Sequence, residues 1–263
     1  MANKKDSLGD RMKTYYENRT RNMLPRRTYT IIRIDGKAFH SYCRGLNKPF
    51  DLPFIEDMDE TAKYLCKNIQ GAKFAFVQSD EISILLTDFD NLKTNAWFDG
   101  NVQKMCSVSA SLATRKFNQL RVLRFLNNKL KNNITIELLD EISKLKQAEF
   151  DSRVFTIPSK YEVYNYFIWR QQDTVRNSIS SLAQSLYSHS ELNGKNTDIM
   201  QELCFKKGVN WNEYDPKLKR GRFIMNESYQ LEDGALRNRW ESVQCPTFTQ
   251  QPSWLLNQIM DNI

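Results

Sequence analysis

With 263 residues, 40% hydrophobic and 26% charged, the chain is long enough for one large domain, or a domain with a helical extension, around a real core. No run approaches the roughly 18 apolar residues of a membrane span, and the opening Met1-Ala2-Asn3-Lys4-Lys5-Asp6 lacks a signal-peptide stretch, so no membrane partner and a cytoplasmic location are expected. A net charge of +7 and a pI near 9.1 favour a polyanionic partner, because phosphate contacts supply most non-specific nucleic-acid affinity.

Residues 4–22 are charged, with Leu8, Met12, Tyr15 and Tyr16 on one side, and read as an amphipathic helix or arm that Pro25 ends. Thr28–Ile34 is β-branched and apolar, which predicts a buried strand. Gly36–Phe50 carries two glycines and Pro49 and reads as a loop crossing the strand end. After Pro53, Phe54, Ile55, Met58, Ala62, Leu65, Cys66 and Ile69 follow helical spacing, and Gly71 suits a C-terminal cap. Lys73–Val77 and Ile82–Thr87 read as an antiparallel hairpin, although their turn, Ser79-Asp80-Glu81, lacks the usual Asn-Gly or Asp-Gly signal.

Val102–Leu126 predicts a long helix with Met105, Val108, Leu112, Ala113 and Phe117 as its stripe, and 126–147 irregular structure with short elements. Phe150–Ile157 is a further strand, closed by Pro158. The order β-α-β-β-α-β is that of a ferredoxin-like split unit. The final third differs: Tyr161–Ser188 and Thr197–Phe205 have helical spacing, Arg222–Met225 is the one further strand signal, and Pro252–Ile263 reads as a short amphipathic helix. The expected class is therefore α+β: a ferredoxin-type antiparallel sheet with helices on one face over residues 1–158, and a mainly helical extension over 159–263, packed as one unit with it. The five cysteines (Cys43, Cys66, Cys106, Cys204, Cys245) form no C-x-x-C pair and indicate neither a disulfide framework nor a zinc site.

Two carboxylates stand where chemistry is cheap to place. Asp35 leaves the first strand and Asp80 joins the next two, and in a split β-α-β unit those strands are neighbours. Asp before Gly is also ordinary turn chemistry. If the pair meets, it suits magnesium, which takes one or two carboxylates plus substrate phosphates. Gly36 lets the backbone approach a metal or phosphate closely, and the amides of Lys37, Ala38, Phe39 and His40 would surround a triphosphate as a nest does. The Walker lysine loop is absent. Trp169 reads as core.

Arg33-Ile34-Asp35-Gly36 with Phe39-His40, Lys48-Pro49 with Asp51, Gln78-Ser79-Asp80-Glu81, Trp169-Arg170-Gln171 with Asp173 and Asn177, and Lys219-Arg220-Gly221 together resemble the tRNA(His) guanylyltransferase family. The resemblance implies a palm-like catalytic region with two Mg2+ ions, and 3′-to-5′ addition of nucleotides to the 5′ end of tRNA, with ATP and GTP or another NTP as substrates. It implies metal ligation by Asp35, Asp80 and the Gly36 carbonyl, with Glu81 as a supporting carboxylate. Gly36–His40 and Ser79 would hold the triphosphate, with Lys48, and more weakly Lys104, neutralising its charge. Arg170, Asn177, Lys219 and Arg220 are candidate RNA contacts, although Arg170 and Asn177 could equally stitch the sheet to the helical part. A homotetramer with RNA bound across subunits is implied as well.

The family's eukaryotic members that add a guanosine to histidine tRNA carry a His-Ile-Asn-like stretch after the Trp-Arg-Gln segment. Here Asp173 is followed by Thr174-Val175-Arg176-Asn177, which resembles the bacterial and archaeal branch and implies templated repair of 5′-truncated tRNA. The competing readings are a dedicated tRNA(His) guanylyltransferase, a non-catalytic RNA- or nucleotide-binding module, and nucleotidyl cyclase chemistry.

Overall fold

The computed structural model describes residues 7–129, 136–231 and 234–260. The ends of the terminal helices expected at 4–6 and 261–263, and residues 130–135 of the irregular segment, lie outside them. The sheet has six antiparallel strands, β1 (Tyr29–Gly36), β2 (Ala72–Gln78), β3 (Glu81–Leu86), β4 (Phe150–Ile157), β5 (Arg222–Gln230) and β6 (Leu236–Gln244), in the order β4-β1-β3-β2-β5-β6. The helices are α1 (Ser7–Tyr15), α2 (Phe39–Tyr42), α3 (Leu52–Asn68), α4 (Val102–Lys129), α5 (Ile136–Ser143), α6 (Lys160–Leu186), α7 (His189–Leu192), α8 (Thr197–Lys206), α9 (Pro216–Arg220) and α10 (Pro252–Met260). Among the described residues no helix is long and apolar enough to cross a membrane.

Because side chains alternate along a strand, each strand feeds two cores. Ile32, Ile34, Ala75, Val77, Ile82 and Ile84 face α3 and α4, meeting Met58, Leu65, Met105 and Phe117. Their neighbours Ile31, Phe74, Phe76, Leu85 and Phe223 face α6 and α10, meeting Val163, Phe167, Leu255 and Ile259. A third cluster joins Ile179, Leu182 and Ala183 of α6 to Cys204 of α8 and to Trp211. The helices within the split unit thus lie on one face, and the C-terminal extension covers the other.

That extension also completes the sheet. Phe74–Val77 of β2 pairs with Arg222–Met225, the stretch expected as a strand. Beyond it, Asn226–Gln230 pairs only with β6, as a hairpin arm that outruns β2. Leu236–Gln244 gave no strand signal because most of its residues are half-buried or exposed, so burial imposes no alternation on the sequence. At the other end, the expected arm is α1 followed by a 3-10 turn, with Leu8, Met12, Tyr15 and Tyr16 exposed.

Candidate active site

Asp35 is the penultimate residue of β1, and Asp80 sits in the two-residue Ser79-Asp80 turn that joins Gln78 of β2 to Glu81 of β3. Ser79 takes the left-handed conformation with φ 45°, which closes the turn without glycine. β1 and β3 run antiparallel with Ile34 opposite Ile82, so one further step sets Asp35 opposite Glu81 and the Asp80 turn at the end of β1. Burial raises the Asp35 carboxyl above its ordinary range, with Glu81 and Asp151 adding to the effect. Burial and then repulsion from Asp35 push Asp80 up to about 6. Neither carboxylate makes an ion pair among the described residues.

Glu81 is differently placed. It is 8% exposed and its Oε2 accepts from the Arg170 Nη1 at 2.7 Å, while Ser83 Oγ donates to it at 3.2 Å and meets the Tyr166 hydroxyl at 2.8 Å. Arg170, itself 4% exposed, also donates to Asp173 at 3.0 Å and lies 3.7 Å from the centre of the Trp169 ring. Of the two roles open for Arg170, the structure therefore has it tie α6 to β3, with its charge consumed by two carboxylates.

The loop after β1 is shaped by Phe39. Its ring is buried against Tyr42, Phe54, Phe117 and Phe150, with centroids 4.8 to 6.1 Å apart. A Cβ on Gly36 would stand 2.2 Å from that ring, so only glycine lets the chain double back. Phe39 is thus an anchor whose side chain is unavailable to a ligand. Lys37 is held outward, its N–H on the Glu149 carbonyl at 2.8 Å and its Nζ on the Glu149 carboxylate at 2.6 Å. Ala38 is left-handed (φ 54°) and exposed, His40 is exposed, and the amides of Ala38, Phe39 and His40 open α2, where no upstream helical carbonyl exists for them.

Lys48 is exposed, and Pro49, Phe50 and Asp51 just beyond it line a cavity of about 120 Å3 with Gln78, Ser79 and Asn177. Asp51 caps α3 by accepting from the Phe54 N–H at 2.8 Å and the Asn47 N–H at 3.0 Å, which fixes this wall. Thr174 donates to Gln78 at 2.6 Å and fixes the other. Val175 points instead into the third cluster.

Two expected contacts lie elsewhere. α4 brings Ser109, Thr114 and Asn118 to Ser152, Phe150 and Ala148, approaching the carboxylate end of the sheet as it proceeds. Lys104, near the start of α4 and 5.9 Å from the Phe98 ring, is consequently at the far end. Lys219 is 5% exposed, with its Nζ on the Asn212 carbonyl at 2.6 Å and 5.1 Å from the Trp211 ring, and burial lowers its pKa. It holds the α9 turn rather than facing an RNA. Arg220 is half-buried.

Trp169, expected in the core, is 47% exposed. The buried stripe of α6 runs through Val163, Phe167, Arg170, Thr174 and Ser178, and position 169 falls off it. That mismatch with the helical period was the available signal. Tyr166 and Ser83, which brace Glu81, carried no motif of their own.

Among the described residues no group of three or more His, Cys, Asp or Glu side chains is gathered as a metal cage. The unpaired Asp35 and Asp80 suit a hard cation that draws its remaining ligands from water and phosphate, as magnesium does.

A family model for tRNAHis guanylyltransferase matches residues 9–158. The chain is 30% identical over 238 residues to the uncharacterized protein R259 of Acanthamoeba polyphaga mimivirus, which covers 87% of this chain and 80% of that one. It is 26% identical over 226 residues to the tRNA(His) guanylyltransferase of Debaryomyces hansenii, covering 81% and 79%. A bacterial tRNA(His) guanylyltransferase-like protein in complex with ATP aligns at a TM-score of 0.81 and 42% identity, over 96% of this chain and 99% of that chain. A bacterial protein of the same description in complex with GTP aligns at 0.78 and 41%, over 97% and 99%. The chain, with its antiparallel sheet and its paired strand-end aspartates, belongs to the tRNA(His) guanylyltransferase family of nucleotidyltransferases.

Proposed function

We propose that the protein extends the 5′ end of truncated tRNA in the 3′-to-5′ direction, choosing each nucleotide by pairing with the opposite acceptor strand. The observation that carries this reading is the Asp35–Asp80 pair, two carboxylates at adjacent strand ends with no cation of the protein bonded to either. Asp35, Asp80 and the Gly36 carbonyl would hold Mg2+. When bound there, two such ions supply a lowered pKa for an attacking hydroxyl and neutralise phosphoryl charge.

The amides of Ala38 to His40 and the Ser79 hydroxyl hold the triphosphate, and Lys48 adds a positive charge that offsets the oxygens of the transferring group. The cavity beside Ser79 would take the base of the ATP that activates the end, which leaves the incoming nucleotide's base free to pair. ATP first adenylylates the 5′-monophosphate, releasing pyrophosphate. The 3′-hydroxyl of the incoming NTP then attacks that phosphorus and AMP leaves. Val175 in place of histidine supports repair over dedicated guanosine addition. A homotetramer is the assembly that the family resemblance favours, and sizing with light scattering checks it.

The test is extension of a 5′-truncated, monophosphorylated tRNA with ATP and NTPs. Product that requires both Asp35 and Asp80 is expected. A binding module would leave the chain's RNA-linked activity intact in Asp35→Ala, and a cyclase would yield a cyclic nucleotide without RNA.

A further inference from the structure

Arg222, a wall of the cavity beside Ser79, takes no part in the metal and phosphate chemistry. It opens β5 opposite Val77 of β2, two residues before Ser79. Its side chain falls on the α3 face, because Phe223 points to α6 and strand neighbours alternate. That placement is fixed from behind. Gly221 turns α9 into β5 at φ 85°, and a Cβ there would stand 2.5 Å from the Phe76 ring, so a larger residue would push the strand away. Asp59 of α3 then accepts from the Arg222 Nε at 2.7 Å, and is itself held by the Ser242 hydroxyl at 2.6 Å.

Arg222 is 3% exposed, yet its Nη2 has no acceptor among the described residues. A buried donor left unpaired carries its full desolvation cost, and the cost is greater on a charged group. Neighbouring polar walls are satisfied within the protein. Asp51 accepts from the Phe54 and Asn47 N–H groups, Thr174 donates to Gln78, and Ser178 accepts from the Trp211 Nε1 at 3.1 Å. Phe54, Ile55 and Leu218 add an apolar surface. Arg33 Nε and Arg170 Nε also lack acceptors, but neither residue lines this cavity. At about 120 Å3 the cavity is well below the roughly 300 Å3 at which sites for whole ligands begin, so it admits a base and leaves ribose and phosphates outside. A partly apolar slot with a fixed, unpaired donor in its wall is suited to orienting a flat heterocycle.

We propose that Arg222 reads the base of the activating nucleotide, its Nη2 donating to an acceptor nitrogen of the purine ring while Asp59, on Nε, keeps the guanidinium aimed. This rests on the function proposed above, in which ATP activates the RNA end from this cavity, and names how that nucleotide is selected. A base with no acceptor at that point leaves the buried donor unpaired, which is how a polar site rejects an analogue. Adenine offers N1, N3 and N7 as ring acceptors, so replacing the one that Arg222 meets by a C–H removes the contact and keeps the shape.

The experiment measures binding of ATP, 1-deaza-ATP, 3-deaza-ATP and 7-deaza-ATP to the full-length protein by calorimetry with Mg2+ and without RNA, for the wild type and for Arg222→Lys. Adenylylation of a 5′-monophosphorylated, 5′-truncated tRNA is followed in parallel with the same nucleotides. On the wild type one of the three analogues is expected to bind about 10- to 100-fold more weakly than ATP, the usual worth of a hydrogen bond to a charged group. Arg222→Lys, whose shorter ammonium cannot serve Asp59 and the base together, should bind ATP as weakly as the wild type binds that analogue, and should no longer tell the two apart. The reading is overturned if all three analogues bind the wild type within about twofold of ATP, a comparison that needs no variant to fold. It is overturned as well if the discrimination persists in Arg222→Lys. Absence of adenylylated RNA while ATP still binds overturns the proposed function instead, and the binding series still decides what Arg222 does.

Discussion

Two pairs of aspartates lie close to the same sheet and are treated in opposite ways. Asp57 of α3, 2% exposed, accepts from Arg121 at 3.0 Å and Arg124 at 2.8 Å, and Asp59 accepts from Arg222 at 2.7 Å and Ser242 at 2.6 Å. These acids fasten α3 to α4 and to the β5–β6 hairpin. Asp35 and Asp80 receive no cation partner: burial, then Glu81 and Asp151, push the Asp35 carboxyl upward, and burial, then Asp35, push Asp80 upward. The difference is one of placement: arginines bond to the acids that hold elements together, whereas Arg33 and Arg153 act on Asp35 only through their charge, without an ion pair.

The largest test of that contrast is catalytic. Asp35→Asn should lower 5′ extension by about a thousandfold or more, the scale of losing electrostatic stabilisation at a transferring phosphoryl group, with the fold retained by circular dichroism. Asp57→Asn should do the reverse, destabilising the fold by about 3 kcal/mol in urea, because Arg121 would remain a half-buried charge without its partner and Arg124 would keep only the more exposed Glu56. Activity per folded molecule should survive that change.

Smaller, and opposite in sign to most active-site substitutions, is the effect of Asp80→Asn on stability. A carboxyl raised from 3.8 to about 6 favours the folded state below about pH 4, and that contribution is lost as pH climbs through about 6. Without Mg2+, the wild type should therefore lose about 2 kcal/mol between pH 4 and pH 7 from this group, after allowance for solvent screening. Asp80→Asn should flatten that part of the melting profile and melt higher than the wild type at pH 7. Smallest is Lys104→Ala, which sits at the remote end of α4 and should alter extension by no more than about twofold.

Much of this was legible in the chain. The β-branched run before Asp35, the helical stripe after Pro53 and the hairpin around Asp80 each obey one period, and each is where it was expected. The meeting of Asp35 and Asp80 followed from strand order. Side-chain fates were harder to read. Lys219 and Arg170 look like surface cations in sequence, yet a carbonyl in one case and two carboxylates in the other draw them inward. Such partners are distant in the chain and leave no periodic trace. Gly36 carried the right signal for an added reason, since the Phe39 ring and not only a ligand demands it. Trp169 shows how an aromatic residue invites a core assignment until its position on the helix is counted.

The contrast between the two acid pairs is tested most directly by melting the wild type and Asp80→Asn at pH 7 against rising Mg2+ with ATP held constant. Binding to the folded state alone must raise the wild-type melting temperature with concentration. The wild type is expected to climb from the lower starting point, and Asp80→Asn, starting higher, to stay level. Parallel curves for the two proteins would contradict it.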